Sequence, residues 1–421
     1  MIKKLLVLTM LFGFCACNVW AVDIFSSWVG DDGGLWDQAS NWNPGIVPDN
    51  SGGNNFYVTI SPAGSNSIRF TQDRTVSRIT CYGEVDLEIG ERTLSLLDPN
   101  GLINHGIFEA TGSGVEHEIN GNILNTEGAI IEVSYWFQHQ GKFVNNGQLM
   151  VIPGGNASIE DGNLINNGTV WLYDGTASAD GLENSDSGII SGFGSLYGGQ
   201  VIQNAGSIRA FGGPLTIAYD LSLNNSGSLV NEPGTALQIG PVGSPEDVND
   251  INNHGTIEVN AGGSVVFDAD VVNEPDGFIE LNGGTFGART ITQSAGAEFE
   301  GLGTITGDVV IEPNSVVGPV SIIRLTGPTN VFGNVTIGAG ATFEVSDGTT
   351  IITGHTTCNN GTIHMIGGRV ICQGGLTDNN CEIIWEPGID SNAADYNLDG
   401  RVNLEDYAQF ARTWLWEASW R

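Results

Sequence analysis

One phrase recurs along most of this chain, and it constrains the fold more than any other feature. It reads two apolar residues, Asn, a spacer, Gly, any residue, apolar, any residue, apolar. Leu164-Ile165-Asn166-Asn167-Gly168-Thr169-Val170-Trp171-Leu172 is one copy, and Phe143-Val144-Asn145-Asn146-Gly147-Gln148-Leu149-Met150-Val151 is another. A third is Ile251-Asn252-Asn253-His254-Gly255-Thr256-Ile257-Glu258-Val259. The glycines fall at Gly106, Gly128, Gly147, Gly168, Gly188, Gly206 and Gly227, in steps of 22, 19, 21, 20, 18 and 21 residues. A step of 28 leads to Gly255, the phrase continues at Gly277 and Gly296, and a late copy holds Gly361. A period near 20 is the mark of a solenoid, in which each unit buries its apolar face only against its neighbours.

The phrase has a physical reading. In the clearest copies the second and fourth residues after the Gly are apolar (Val170 and Leu172, Leu149 and Val151, Ile257 and Val259, Ile279 and Leu281, Ile363 and Met365). Period-two alternation is a half-buried strand. The residues between them, Glu109, Trp171, Arg209, Glu258, Glu280 and His364, then face outward. Asn-x-Gly reads as a corner, with Gly free to take backbone angles closed to other residues. Asn side chains stacked rung on rung can form amide ladders. The expected fold is all-β, a parallel β-solenoid of the right-handed β-helix kind over 56–385. Rungs of about 20 residues stacked ~4.8 Å apart would give about 16 rungs and a rod near 75 Å.

Residues 1–21 read as an export signal: Lys3 and Lys4, an apolar run from Leu5 to Phe14, then Ala21 at a cleavage position. The expected location is secreted or cell surface. Soluble export is the reading, with lipidation at Cys15 or Cys17 as the alternative. No segment is long and apolar enough for a membrane span. Without residues 1–21 the chain keeps 12 basic side chains against 48 acidic ones, a formal −36, and Lys142 is its one lysine. Such a surface repels phosphate backbones and argues against nucleic acid as a partner.

Four cysteines follow the signal: Cys81, Cys358, Cys372 and Cys381. Four allow three pairings. Cys358 and Cys381 are 23 apart, close to one rung, so a bridge between stacked neighbours is one reading and buried thiols are the other.

Residues 22–55 differ from the rest. Trp28, Trp36 and Trp42 lie among Gly, Asn and Pro, and a strand-like run Phe56-Tyr57-Val58-Thr59-Ile60 follows. A cap over the open end of the first rung is the expected role; a stacking platform for sugar rings is the alternative. The pattern resembles the opening segment of exported bacterial repeat proteins of the autotransporter and adhesin type, in which it precedes a β-helix.

A linker at 386–394 leads to the one stretch whose spacing itself demands chemistry. Asp395, Asn397 and Asp399 stand at loop positions 1, 3 and 5, Gly400 at 6, Arg401 at 7, Asn403 at 9 and Asp406 at 12. That is the spacing of an EF-hand Ca²⁺ loop. Arg401 would supply its backbone carbonyl, Asn403 would act directly or through water, and the carboxylates would share one ion. Leu404, Tyr407, Phe410, Ala411, Trp414 and Leu415 then form one apolar stripe of a helix. Asp at position 12 and no helix entering the loop make residues 395–421 resemble a dockerin type I repeat. That resemblance implies a cohesin-like partner or cell-surface scaffold, and association with proteins that act on extracellular polysaccharide. The family carries two such repeats where this chain has one.

Catalysis finds little support in the sequence. The outward acids Glu109, Glu132, Glu258 and Glu280 recur about once per rung, His105 and His254 occupy corner positions, and Asp268, Asp270 and Asp276 have no evident base. The expected function is a non-catalytic exported solenoid, a surface, matrix or adhesive protein with a calcium-binding tail for attachment or assembly. A polysaccharide-binding or polysaccharide-degrading protein carried by a dockerin-like module is the alternative.

Overall fold

The computed structural model describes residues 21–110, 116–219, 222–241, 251–313 and 322–386. Residues 1–20 of the expected export signal, the segment 242–250, the expected linker from 387 and the expected calcium loop and helix at 395–421 lie outside them.

The chain winds into a parallel β-solenoid of about 15 turns. Each rung has three short strands. Phe143–Asn145 and Gln148–Val151 make the first two sides of one rung, and Asn156–Asn166 supplies its third side before running on into the next. Inward positions alternate along every side. Phe143, Leu149, Val151, Ala157 and Ile159 are buried in this rung, and their partners one rung on are Leu164, Val170, Leu172, Ala177 and Ala179. Among the described residues every strand pairing is parallel except that of Asp23–Trp28 with Trp42–Asn43. In-register stacking turns the sequence repeat into columns of like residues, and these columns form one continuous apolar core.

The first Asn of each phrase points inward. Asn104, Asn125, Asn145, Asn166, Asn184, Asn204, Asn225, Asn253, Asn273 and Gln293 form one buried column. Each amide donates to the side-chain oxygen of the next at 2.7–3.0 Å, always toward the C-terminal end. The second amide hydrogen mostly reaches a main-chain carbonyl of the next rung, as from Asn145 to Thr169 at 3.0 Å. Both demands of a buried carboxamide are thus met, which makes its burial affordable. The column starts beside Cys81 and ends beside Ile311, both buried and unable to extend it.

The glycine of the phrase has a different role from the one its corner position suggests. Gly106, Gly147, Gly168, Gly188, Gly206, Gly227, Gly255 and Gly277 do not have positive φ. They are glycines because the neighbouring rung leaves no room: a Cβ on Gly168 would lie 2.1 Å from the carbonyl oxygen of Gly147. Gly128 and Gly296 do have positive φ, but they sit one residue early. In their rungs Ala129 and Ala297 hold the position in register with Gly147 and Gly277, so the slot admits a methyl only where the corner before it is built on a positive-φ glycine.

At the N-terminal end Trp28, Trp36 and Trp42 are 7, 0 and 2% exposed. Trp42 meets the other two edge-on at 5.0 and 4.6 Å, and Trp36 stacks on Phe70 at 4.6 Å. Their indole N–H groups donate to Asn66, to the Pro48 carbonyl and to the Trp36 carbonyl. No ring presents a face to a sugar. The parallel ladder begins within 22–55, where Asp23–Trp28 pairs with Asn55–Ile60. Asp37 and Asp49 hold Arg74, which sits in the inward column below Leu94.

Cys358 and Cys381 form a disulfide across successive rungs, with Cα atoms 5.5 Å apart. Cys81 and Cys372 are free thiols. No helix among the described residues is long and apolar enough to cross a membrane.

Candidate functional site

The expected calcium ligands Asp395, Asn397, Asp399, Arg401, Asn403 and Asp406 lie outside the described residues. Among the described residues no group of three or more His, Cys, Asp or Glu side chains is placed to hold a metal ion. The chemistry of the rod itself is carried by its outward columns.

Strand register brings together acids that look merely periodic in the sequence. On the second side of the rungs, Glu258, Glu280, Glu300, Arg324, Glu344 and His364 occupy one outward column, each in register with the next. Arg324 Nε donates to Glu344 Oε1 at 2.6 Å, and its guanidinium is 3.8 Å from Glu300 Oε2. The hydrogen bond to Glu344, with the negative field of Glu344, Glu300 and Glu298, raises the Arg324 pKa further. His364 lies between Glu344 at 3.5 Å and Glu386 at 3.4 Å. The same side starts with Asp86, Glu109 and Glu132 in register. Partial burial, then the charges of Glu84 and Glu132, push the Glu109 carboxyl above its ordinary value.

Asp268, Asp270 and Asp276 each meet a separate partner. Gln238 donates to Asp268 at 3.3 Å, Arg289 is 3.6 Å from Asp270, and His254 is 2.8 Å from Asp276. Basic groups thus stand beside two of these acids, from rungs that the linear sequence does not connect. The hydrogen bond from His254 is the main reason the Asp276 pKa falls. His254 and His105 take the second, outward corner position, where His105 stacks on Tyr82 with ring centroids 4.9 Å apart.

Two other histidines are buried. His139 Nδ1 is 3.0 Å from the Ile119 carbonyl, so that nitrogen carries the proton, and Nε2 has no partner among the described residues. Burial pulls its pKa down to about 4. His117, one rung earlier, has neither ring nitrogen hydrogen-bonded among the described residues; burial lowers its pKa, against the opposing charge of Glu88. The signal was present in the sequence. In Trp136-Phe137-Gln138-His139-Gln140 the histidine falls on the same inward phase as Phe137.

Comparison of the chain with protein families, with curated proteins and with solved structures returned no match in any of the three.

Proposed function

We propose that this chain is an exported, non-catalytic solenoid. It serves as a right-handed β-helical rod at the cell surface or in an extracellular matrix. Its dockerin-like tail, through Asp395, Asn397, Asp399, Arg401, Asn403 and Asp406, binds Ca²⁺ and attaches or assembles the rod by way of a cohesin-like protein or surface scaffold. The observation that carries this reading is the unbroken amide column from Asn104 to Gln293. The phrase that dominates the sequence is used up in holding rungs together, which is what a spacer requires. The test has two arms on the full-length protein. Calorimetric titration with Ca²⁺ is expected to show one site that Asp399→Ala removes. Cell fractionation is expected to find the protein with the envelope in Ca²⁺ and released by a chelator. No calcium binding, or release indifferent to chelation, overturns it.

One observation favours the carbohydrate-active alternative. Arg324 stands between Glu300 and Glu344 with His364 beyond, on an outward β-face; a guanidinium held protonated binds the carboxylate of an acidic sugar, and the imidazole of His364 is the neighbouring group able to accept a proton. Incubation with a panel of acidic polysaccharides separates the readings. Unsaturated products that disappear in Arg324→Ala would establish the alternative.

A further inference from the structure

The outward column on the second side of the rungs is acidic toward both ends and changes character in the middle. Asp86, Glu109 and Glu132 open it, and Glu258 and Glu280 resume it. Between them, in register from rung to rung, stand Met150, Trp171, Ser191, Arg209 and Val230. Of these five only Arg209 is charged, and it is ion-paired with Glu232. The corner that ends the same side changes over the same rungs. Tyr173 is there in register with Phe193, and Phe211 follows Ala210, the partner of Gly192. Phe211 is 50% exposed, and Trp171, Tyr173 and Phe193 are partly exposed.

These rings are held in place. Trp171 and Tyr173 stack, with centroids 6.1 Å and planes 19° apart. Phe193 lies over glycine backbone of the next rung, where a Cβ on Gly213 would meet it at 3.1 Å and one on Gly212 at 3.5 Å. The corner is also lengthened where the rings gather. Asp174, at φ 57°, has no counterpart in the next rung, and Phe211–Pro214 fill the space between the partners of Gly192 and Gly194. Bulges of this kind re-aim side chains. The rings lie outside the core, so they contribute little to holding the rod together, and a contiguous exposed patch of this type marks a contact surface.

We infer that this face binds a neutral polysaccharide, with sugar rings seated on Trp171, Tyr173, Phe193 and Phe211. A pyranose offers apolar C–H faces to aromatic rings, and hydroxyls at its edge to polar groups such as Asp174, Arg209 and Glu232. Successive rungs lie ~4.8 Å apart, the scale of one sugar unit, so rings on successive rungs can take successive units of a chain lying along the rod. Charge decides among the other occupants. The acids on either side of the patch repel an anionic polymer. They equally repel a second rod laid on the same face, because its own acid column would meet them. A basic protein would be held by an acid column and would gain nothing from its interruption. The inference concerns a different face from the Arg324 column, and it does not rest on the calcium-binding tail.

The experiment is affinity electrophoresis of the full-length protein in native gels containing hydroxyethyl cellulose, galactomannan or polygalacturonate. Retardation by at least one of the two neutral polymers is expected, and none by polygalacturonate. Binding is expected to weaken about tenfold or more in Trp171→Ala. Phe211→Ser, at a half-exposed position, is a second variant expected to weaken it with the melting temperature unchanged. Trp171→Phe keeps a ring and is expected to keep most of the binding, and Phe25→Ala, an exposed ring elsewhere on the rod, to keep all of it. No retardation by either neutral polymer, retardation by polygalacturonate alone, or retardation undiminished in both Trp171→Ala and Phe211→Ser overturns the inference. So does sedimentation showing a dimer that Trp171→Ala dissociates, which would make a second copy the occupant. Retardation is expected to be the same in a chelator, and its loss there would place the site elsewhere and overturn the inference. Calcium binding without retardation removes the glycan face and leaves the reading of the tail standing, and retardation without calcium binding does the reverse.

Discussion

The carboxamide of Asn145 donates to Oδ1 of Asn166 at 2.8 Å, across 21 residues of sequence and from one fully buried side chain to another. Asn166 hands the bond on to Asn184 at 2.8 Å and gives its other hydrogen to the Ile189 carbonyl. Asn166→Leu keeps similar bulk but strands the donor of Asn145 and the acceptor of Asn184. The expected loss is about 3 kcal/mol, read by chemical denaturation. Asn166→Asp is the sharper probe. A buried carboxylate facing two oxygens has its pKa raised, so the folded variant binds a proton that the unfolded chain releases. Its stability relative to the parent is then expected to fall as pH rises from 5 to 8, by up to about 1.4 kcal/mol per unit while the group titrates. A pH-independent difference would mean that the column only fills space.

The glycine slot makes a separate claim. Gly168→Ala puts a methyl 2.1 Å from the Gly147 carbonyl oxygen, and that oxygen belongs to backbone fixed by the ladder. Gly154 has φ of 82° and nothing near its missing Cβ, so Gly154→Ala meets only backbone strain. The first is expected to cost about 3 kcal/mol and the second about 1. Equal melting-temperature shifts for the two variants would show that conformation, and not rung spacing, selects glycine in the phrase.

The alternation at Val170 and Leu172 was enough to place a strand, and its return every 20 residues was enough to stack strands into a solenoid. The separation of 23 left a Cys358–Cys381 bridge as one of two readings; the structure forms it, although the in-register partner of Cys358 one rung on is Asp378. What the period did not reveal is register. Steps between rungs vary because corners take up or lose residues, so the column Glu258, Glu280, Glu300, Arg324 cannot be read off by counting. The same blurring made Gly128 look equivalent to Gly147, when Ala129 occupies that slot. Asp268, Asp270 and Asp276 look like a cluster in one dimension, but they face separate partners once the chain is wound. The EF-hand-like spacing at 395–406 is local and needs no fold to be noticed; those residues lie outside the described ones.

Buried His139 makes the rod acid-sensitive. Its folded pKa is depressed to about 4 from an ordinary 6.5, so the unfolded chain binds the proton first as pH falls. Its contribution is complete above pH 6.5 and is lost between 6.5 and about 4. At pH 5 the loss is about 2 kcal/mol. His139→Leu, flanked in its column by Ile119 and Ile159, is expected to remove that part of the acid dependence. Denaturation midpoints at pH 7 and pH 5 for both proteins check it. Burial shifts His117 in the same direction, so His117→Leu is expected to add to the effect.

Arg74 ties the N-terminal segment to the first rungs. It is 8% exposed, with Nε donating to Asp37 at 2.6 Å and a terminal nitrogen donating to Asp49 at 2.7 Å. Burial opposes ionisation of Asp37, yet hydrogen bonds from Thr71 and Arg74 hold its carboxyl below the usual value. A depressed carboxylate stabilises the fold above its unfolded pKa and loses that contribution as pH drops through the folded value. Arg74→Met fits an aliphatic chain into the inward column but leaves both carboxylates without their cation. The expected cost is on the order of 2 kcal/mol, less than for a fully buried pair because Asp37 and Asp49 keep an edge in water. The damage should stay local, because rungs contact only their neighbours. Hydrogen exchange is therefore expected to speed up at Asp23–Trp28 and Asn55–Ile60 and to be unchanged at Thr256–Asn260. Faster exchange along the whole rod would show that the end segment and the amide column fold as one cooperative unit.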